Sequence, residues 1–184
     1  MEISDKKDIE SVIDFWFKET TSEQKFKKDD VFDKLVKSKF GGMYWKILNR
    51  ETESWQKTPE GRLAEVIVLD QFARNMFRGD KQSFAADELA LSLSRDALEA
   101  GADRQLPEEQ KHFLYMPYMH SESKEVHEEA LKIFTERSNK DFLKYEIEHK
   151  KIIDRFGRYP HRNEVLERES TPEELEFLKE HTGF

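Results

Sequence analysis

TPEGRLAEVIVLDQFARNMFRGD, residues 58–80, decides how this chain folds. Thr58-Pro59 has the form of a helix N-cap followed by proline at the first helical position, where a missing N–H leaves no bond unmade. Gly79 supplies the matching stop, so the spacing predicts one helix from Pro59 to about Phe77. Between Leu63 and Leu69 that helix is apolar almost all round. A helix without a polar face belongs in the middle of a fold, wrapped by others.

Working outward, the remaining segments repeat at steps of three and four. Ile9, Val12, Ile13, Trp16 and Phe17 mark one face of a first helix, and Phe32, Leu35, Val36 and Phe40 mark a second that Gly41-Gly42 should end. Tyr44 to Leu48 reads as a further short helix. Others are expected from about Ser83 to Ala100, stopped by Gly101, and from Pro107 until Pro117 kinks or ends it. A helix capped by Ser121 should run to about Arg137, and one capped by Asp141 should end at Gly157. Thr171-Pro172-Glu173-Glu174 is a capping box that opens a last helix. No alternating strand, linker or fixed repeat interrupts the series. The expectation is all-α, about eight helices of ordinary length, in a single domain over residues 1–184.

Composition narrows the function. The 31 Lys and Arg against 39 Asp and Glu give a net charge of −8, which excludes a general nucleic-acid binder. With no cysteine, disulfide scaffolds, thiolate metal sites and a Cys nucleophile are excluded. The start, MEISDKKDIESV, lacks the apolar run of a secretory signal, and no stretch approaches the roughly 20 apolar residues of a membrane span. No membrane partner is expected, and a cytoplasmic location is.

Four places break the helical pattern with chemistry. Asp70, Arg74 and Arg78, spaced by four, share a face of the central helix, with Gln71 and Asn75 beside them. Burying an unpaired ion costs several kcal/mol, so these must meet opposite charges, water or a ligand. His149 falls within the apolar face of Phe142, Tyr145, Ile152, Ile153 and Phe156, either as a core histidine bonded to a carbonyl or carboxylate or as a base facing a ligand. His120 and Glu122 flank the start of a helix, where a carboxylate suits the helix dipole, and the pair suits proton transfer or a divalent metal. Arg155, Arg158, His161, Arg162 and Asn163 crowd one turn, and arginine forks match carboxylate or phosphate. The candidate catalytic residues are thus His120, Glu122, His149 and His161. The candidate ligand-binding residues are Asp70, Arg74, Asn75, Arg78, Arg155, Arg158, Arg162 and Asn163. Metal and cofactor stay open.

Together these stretches resemble the bacterial and fungal domain-of-unknown-function family 924. The likeness is carried by IDFWF (Ile13–Phe17), the Phe32-Asp33 to Phe40-Gly41 segment, LDQFARNMFRGD (Leu69–Asp80), FAADELAL (Phe84–Leu91), FLYMPYMHSE (Phe113–Glu122), RFGRYPHRN (Arg155–Asn163) and STPEE (Ser170–Glu174). The resemblance implies an all-helical fold similar to tetratricopeptide arrays. It carries over no catalytic residue, since the family has no established reaction. The chain departs from the family pattern at His127, where glutamine is usual, and at Glu167, where glycine is more frequent. Glutamate resists a positive φ, which leaves the turn before the last helix open.

Three functions fit. The first is a small-molecule site in which arginines hold an anion and histidines handle protons, with or without a metal. It requires the motif segments to converge. The second is a tetratricopeptide-like module clamping an acidic or C-terminal peptide. The third is a purely structural polar network. A serine hydrolase elbow and a nucleotide-cradling glycine loop are both missing from the sequence. The expected partner is a small anionic molecule or an acidic peptide.

Overall fold

The computed structural model describes residues 2–181. Among them the chain is all-helical, without a strand. Helices α1 (Ile3–Asp14), α2 (Ser22–Phe26), α3 (Asp30–Leu48), α4 (Pro59–Val66), α5 (Ala73–Met76), α6 (Asp87–Glu99), α7 (Glu108–Met119), α8 (Lys124–Arg137), α9 (Lys140–Phe156) and α10 (Pro172–Phe177) follow one another. None is long and apolar enough to cross a membrane. Contacts divide the chain into two compact units. Unit 1 comprises Met1–Arg78 and Gln82–Pro117, and unit 2 comprises Gly79–Lys81 and Tyr118–Phe184.

Unit 1 is built around the 58–80 segment. Thr58 Oγ1 accepts the Gly61 N–H and Pro59 begins α4. Every residue from Leu63 to Ala73 is buried. The helix does not keep one geometry, however. From Ile67 to Phe72 it widens into a π-helical turn before tightening again into α5. Aromatic rings fill the space beside this turn. Phe72 lies 4.5 Å from Phe40 and 5.5 Å from Trp16, and Phe15 lies 4.9 Å from Phe40. All three tryptophans belong to unit 1: Trp16 and Trp55 are buried, and Trp45 is half exposed.

One expectation is corrected in unit 1. Gly41-Gly42 does not end a helix; α3 continues through it to Leu48, merging the two segments expected there. Two helical glycines cost about 2 kcal/mol relative to alanine, and the burial of Phe40, Tyr44 and Ile47 on either side offsets that. Of the two outcomes expected at Pro117, a kink or an end, the end does not occur: Pro117 lies inside α7, which reaches Met119.

Unit 2 starts from an α8–α9 hairpin closed by Ser138-Asn139. Asn139 Oδ1, rather than Asp141, accepts the first amides of α9, from Asp141 and Phe142. At the start of α8 the capping side chain is Ser123, not Ser121. His127–Glu146 and Glu128–Lys150 cross the hairpin as neighbouring rungs, the pattern of antiparallel helices. Gly157 ends α9 at φ +71°, a left-handed conformation that favours glycine. The chain then makes a tight turn at Pro160–Arg162 and reaches α10 through the expected capping box of Thr171 and Glu174.

Candidate functional site

The sequence-nominated residues fall in both units, and each group has its own chemistry. In unit 1, Asp70, Arg74, Asn75 and Arg78 bind helices together. Arg74 Nη1 donates to the Asp70 carbonyl at 2.6 Å, and its fork grips Asp87 of α6 through two 3.1 Å bonds. Arg78 holds Asp33 of α3 through Nε at 2.6 Å and Nη2 at 3.0 Å, and Asn75 Nδ2 adds a 2.8 Å bond to the same carboxylate. Gln71 Nε2 donates to Asp70 Oδ2 at 2.6 Å. These bidentate pairs use most of the donor capacity that an anion would need.

In unit 2 the turn after α9 is held from both sides. Arg158 forks onto Glu174 at 2.6 and 2.8 Å and donates to the Glu169 carbonyl at 2.8 Å. Asn163 Nδ2 reaches Ser170 Oγ at 3.0 Å and Glu174 Oε2 at 3.3 Å. The Arg158 guanidinium, against the pull of burial and with help from the Thr171 N–H, brings the Glu174 carboxyl down to about 2. Arg155 pairs with Glu173 at 2.8 Å at the surface.

Glu122 is fully engaged. Its Oε1 accepts the Tyr159 N–H at 2.7 Å, and Arg168 grips both oxygens at 2.7 and 3.0 Å. Burial alone would raise this carboxyl; Arg168, the Tyr159 amide and the Arg162 charge outweigh it and hold it below the ordinary carboxylate range. Glu122 is therefore a charged strut beneath the turn. Arg168, its partner, has no sequence signal, because nothing in LERES sets it apart.

The histidines lie around one phenol. The Tyr159 ring is 5.8 Å from His149, 5.5 Å from His161 and 6.3 Å from His127, while His120 is 6.4 Å from His149. The Arg162 guanidinium stacks 4.7 Å from the Tyr159 ring and donates to the His120 carbonyl at 2.9 Å. Tyr159 is buried, whereas His120 and His161 are half-buried. Segments 120–122, 149 and 158–163 therefore come together within unit 2.

Hydrogen bonding fixes the proton on His149. Nδ1 lies 2.7 Å from the Tyr145 carbonyl, which only accepts, so Nδ1 carries a proton. Burial, opposed by that bond and reinforced by the three neighbouring imidazoles, takes the ring's pKa down to about 3. His149 is thus neutral at physiological pH.

His127 stands out in the sequence only as a departure from a family pattern, and it forms the floor of the cluster. Nε2 lies 2.9 Å from the Ser121 carbonyl and must carry a proton. The Tyr159 hydroxyl donates to the Met119 carbonyl at 2.6 Å and accepts from His127 Nε2 at 3.2 Å. Nδ1 and Glu146 Oε1, 2.7 Å apart and both fully buried, then share a single proton. Burial pushes the Glu146 carboxyl up, against the pull of His127. Among the described residues no three histidine, aspartate or glutamate side chains are grouped to ligate a metal.

No curated protein matches the chain. A solved protein of unknown function from Agrobacterium tumefaciens is similar in fold and sequence, with a TM-score of 0.88 and 35% identity over 94% of this chain and 97% of its own. The family described as bacterial proteins of unknown function, DUF924, matches residues 12–182.

Proposed function

The chain belongs to the DUF924 family of bacterial proteins, and on that footing we propose that the histidine cluster of unit 2 binds a small anionic ligand and supplies it with acid–base groups. The observation that carries this reading is the convergence of His149, His161 and Arg162 on Tyr159, with His120 beside His149. In this reading the half-buried His120 and His161 meet the ligand and handle its protons, Arg162 contributes positive charge beneath them, and neutral His149 packs beside them. Asp70, Arg74, Asn75, Arg78, Arg158 and Glu122 take supporting positions, because carboxylate pairs already occupy them.

The peptide-binding alternative looks to a cavity of about 470 Å3 between α9 and α10, floored by Ile152, Phe156 and Phe177. Its rim sets Lys151, Arg155 and His181 against Glu148, Glu176 and Glu180. That balance gives an acidic peptide no net attraction, which favours the small-anion reading.

The test is a thermal-shift series with phosphate, sulfate and small carboxylates at constant ionic strength. A ligand at 100 times its Kd stabilises by about 2.7 kcal/mol, which raises Tm by roughly 5–10 °C at this size. One anion class should give the rise, and His120→Gln and His161→Gln should lose it while melting like the wild type without ligand. A flat series, or a rise that survives both substitutions, overturns the reading.

A further inference from the structure

The outer face of α3, in unit 1, has no part in anything above. Val31, Leu35, Ser38, Gly42 and Trp45 recur along it at steps of four, three, four and three. That is the heptad spacing of a seam that packs against another helix. All five residues are exposed. The large ones are strongly so, with Val31 at 79%, Leu35 at 45% and Trp45 at 49%. The other side of the helix buries Phe32, Val36, Phe40, Tyr44 and Ile47. The helix thus carries two apolar faces, and unit 1 covers one of them.

Gly42 and its neighbour Gly41 cut a notch in the seam. Neither has a positive φ, and a Cβ on either would meet nothing within 4 Å. Alanine would fit at both positions, and glycine inside a helix weakens it. No turn and no close contact within the chain calls for glycine here. A side chain of a neighbouring helix, seated in the gap, does.

Charge selects the neighbour. The positions that flank such a seam and meet the partner helix are Lys34 and Gly41 on one side and Lys39 and Lys46 on the other. Lys39 and Lys46 reach Glu19 and Asp8 only at 3.4 Å, as exposed pairs that hold weakly. A second copy of the chain would bring lysine against lysine in either orientation. A lipid surface rewards a bulky apolar side chain at each seam position, and Ser38 and Gly42 withhold one. The net charge of −8 also opposes approach to an anionic bilayer. We infer that the outer face of α3 is a docking surface for an amphipathic helix of a partner protein. That helix sets a bulky apolar residue into the Gly41-Gly42 notch and places carboxylates opposite Lys34, Lys39 and Lys46.

The probe is a synthetic three-heptad peptide with leucine at its seam positions and glutamate at its flanking positions, where mutual repulsion keeps it from pairing with itself. Titrated calorimetrically into the full chain, it should bind in the micromolar range. Its affinity should fall roughly tenfold or more at about 1 M salt, where the screening length is about 3 Å. The same peptide with lysine in place of each glutamate should not bind. Lys34→Glu combined with Lys46→Glu should weaken the glutamate peptide roughly tenfold. Gly42→Gln covers the notch with a polar side chain that suits a helix better. It should abolish peptide binding while raising the Tm of the free protein by roughly 1–2 °C. No binding of the glutamate peptide, equal binding of the lysine peptide, binding that survives Gly42→Gln, or a lower Tm in that variant would overturn the inference. So would binding of anionic vesicles, or dimerisation of the chain that Gly42→Gln abolishes, in place of peptide binding. The peptide and the α3 residues take no part in the anion test, so the two readings fail separately.

Discussion

Glu167 carries a φ of +55°, the conformation in which glycine is at home. For a side-chain-bearing residue that region costs about 1–2 kcal/mol. Glycine would lose some of that gain by loosening the unfolded chain, by about 0.5–1 kcal/mol. Glu167 is exposed, so its substitution disturbs no packing. Glu167→Gly should therefore stabilise the protein by about 0.5–1 kcal/mol and raise Tm by roughly 1–4 °C in a thermal melt. His149 makes the other prediction at this scale. An imidazole in the unfolded chain takes its proton near pH 6.5, and the folded His149 only near 3. Between those values the unfolded state binds more protons, so stability falls as pH drops through the window. His149→Gln keeps an N–H for the Tyr145 carbonyl and removes the titration. Urea denaturation at pH 7 and pH 4 should show the wild type losing roughly 3 kcal/mol more than the variant across that interval; equal losses would assign the acid sensitivity elsewhere.

At the scale of elements, much was legible because helix signals are local. The Thr58-Pro59 start, the apolar run from Leu63 to Leu69 and the Thr171–Glu174 capping box each depend on residues within one or two turns. What escaped depends on partners far along the chain. The continuation of α3 through Gly41-Gly42 is decided by tertiary burial, and the π-helical widening at Ile67–Phe72 leaves no mark in the apolar pattern. The same holds for the candidate site. His120, His149 and His161 stood out as polar residues in apolar or motif settings, but the Arg168 grip on Glu122 and the His127–Glu146 pair join segments 46 and 19 residues apart. Gly61 shows how tightly elements meet at the start of α4. A Cβ there would lie 2.0 Å from the Trp55 carbonyl oxygen and 2.9 Å from Thr58 Oγ1, the atom that caps the helix. Gly61→Ala must displace backbone rather than a flexible side chain, and should destabilise by about 2–3 kcal/mol in urea denaturation; a neutral result would mean the Trp55 turn yields freely.

On the scale of the whole molecule, Glu65 in unit 1 and His149 in unit 2 answer pH in opposite senses. Glu65 in unit 1 prefers its proton in the fold, so its burden lightens as pH falls from 8 toward 5. His149 in unit 2 refuses one, and below pH 4.5 Glu174 adds to the loss as its Arg158-bound carboxylate begins to protonate in the unfolded chain first. The distribution of tryptophan turns this contrast into an optical signal. Trp16, Trp45 and Trp55 all lie in unit 1, so indole emission reports on that unit's packing alone, while far-ultraviolet circular dichroism sums helices from both. On acidification the dichroism should begin to fall while emission keeps its native wavelength. In His149→Gln the two traces should draw together, which makes the chain its own two-channel reporter without any added dye.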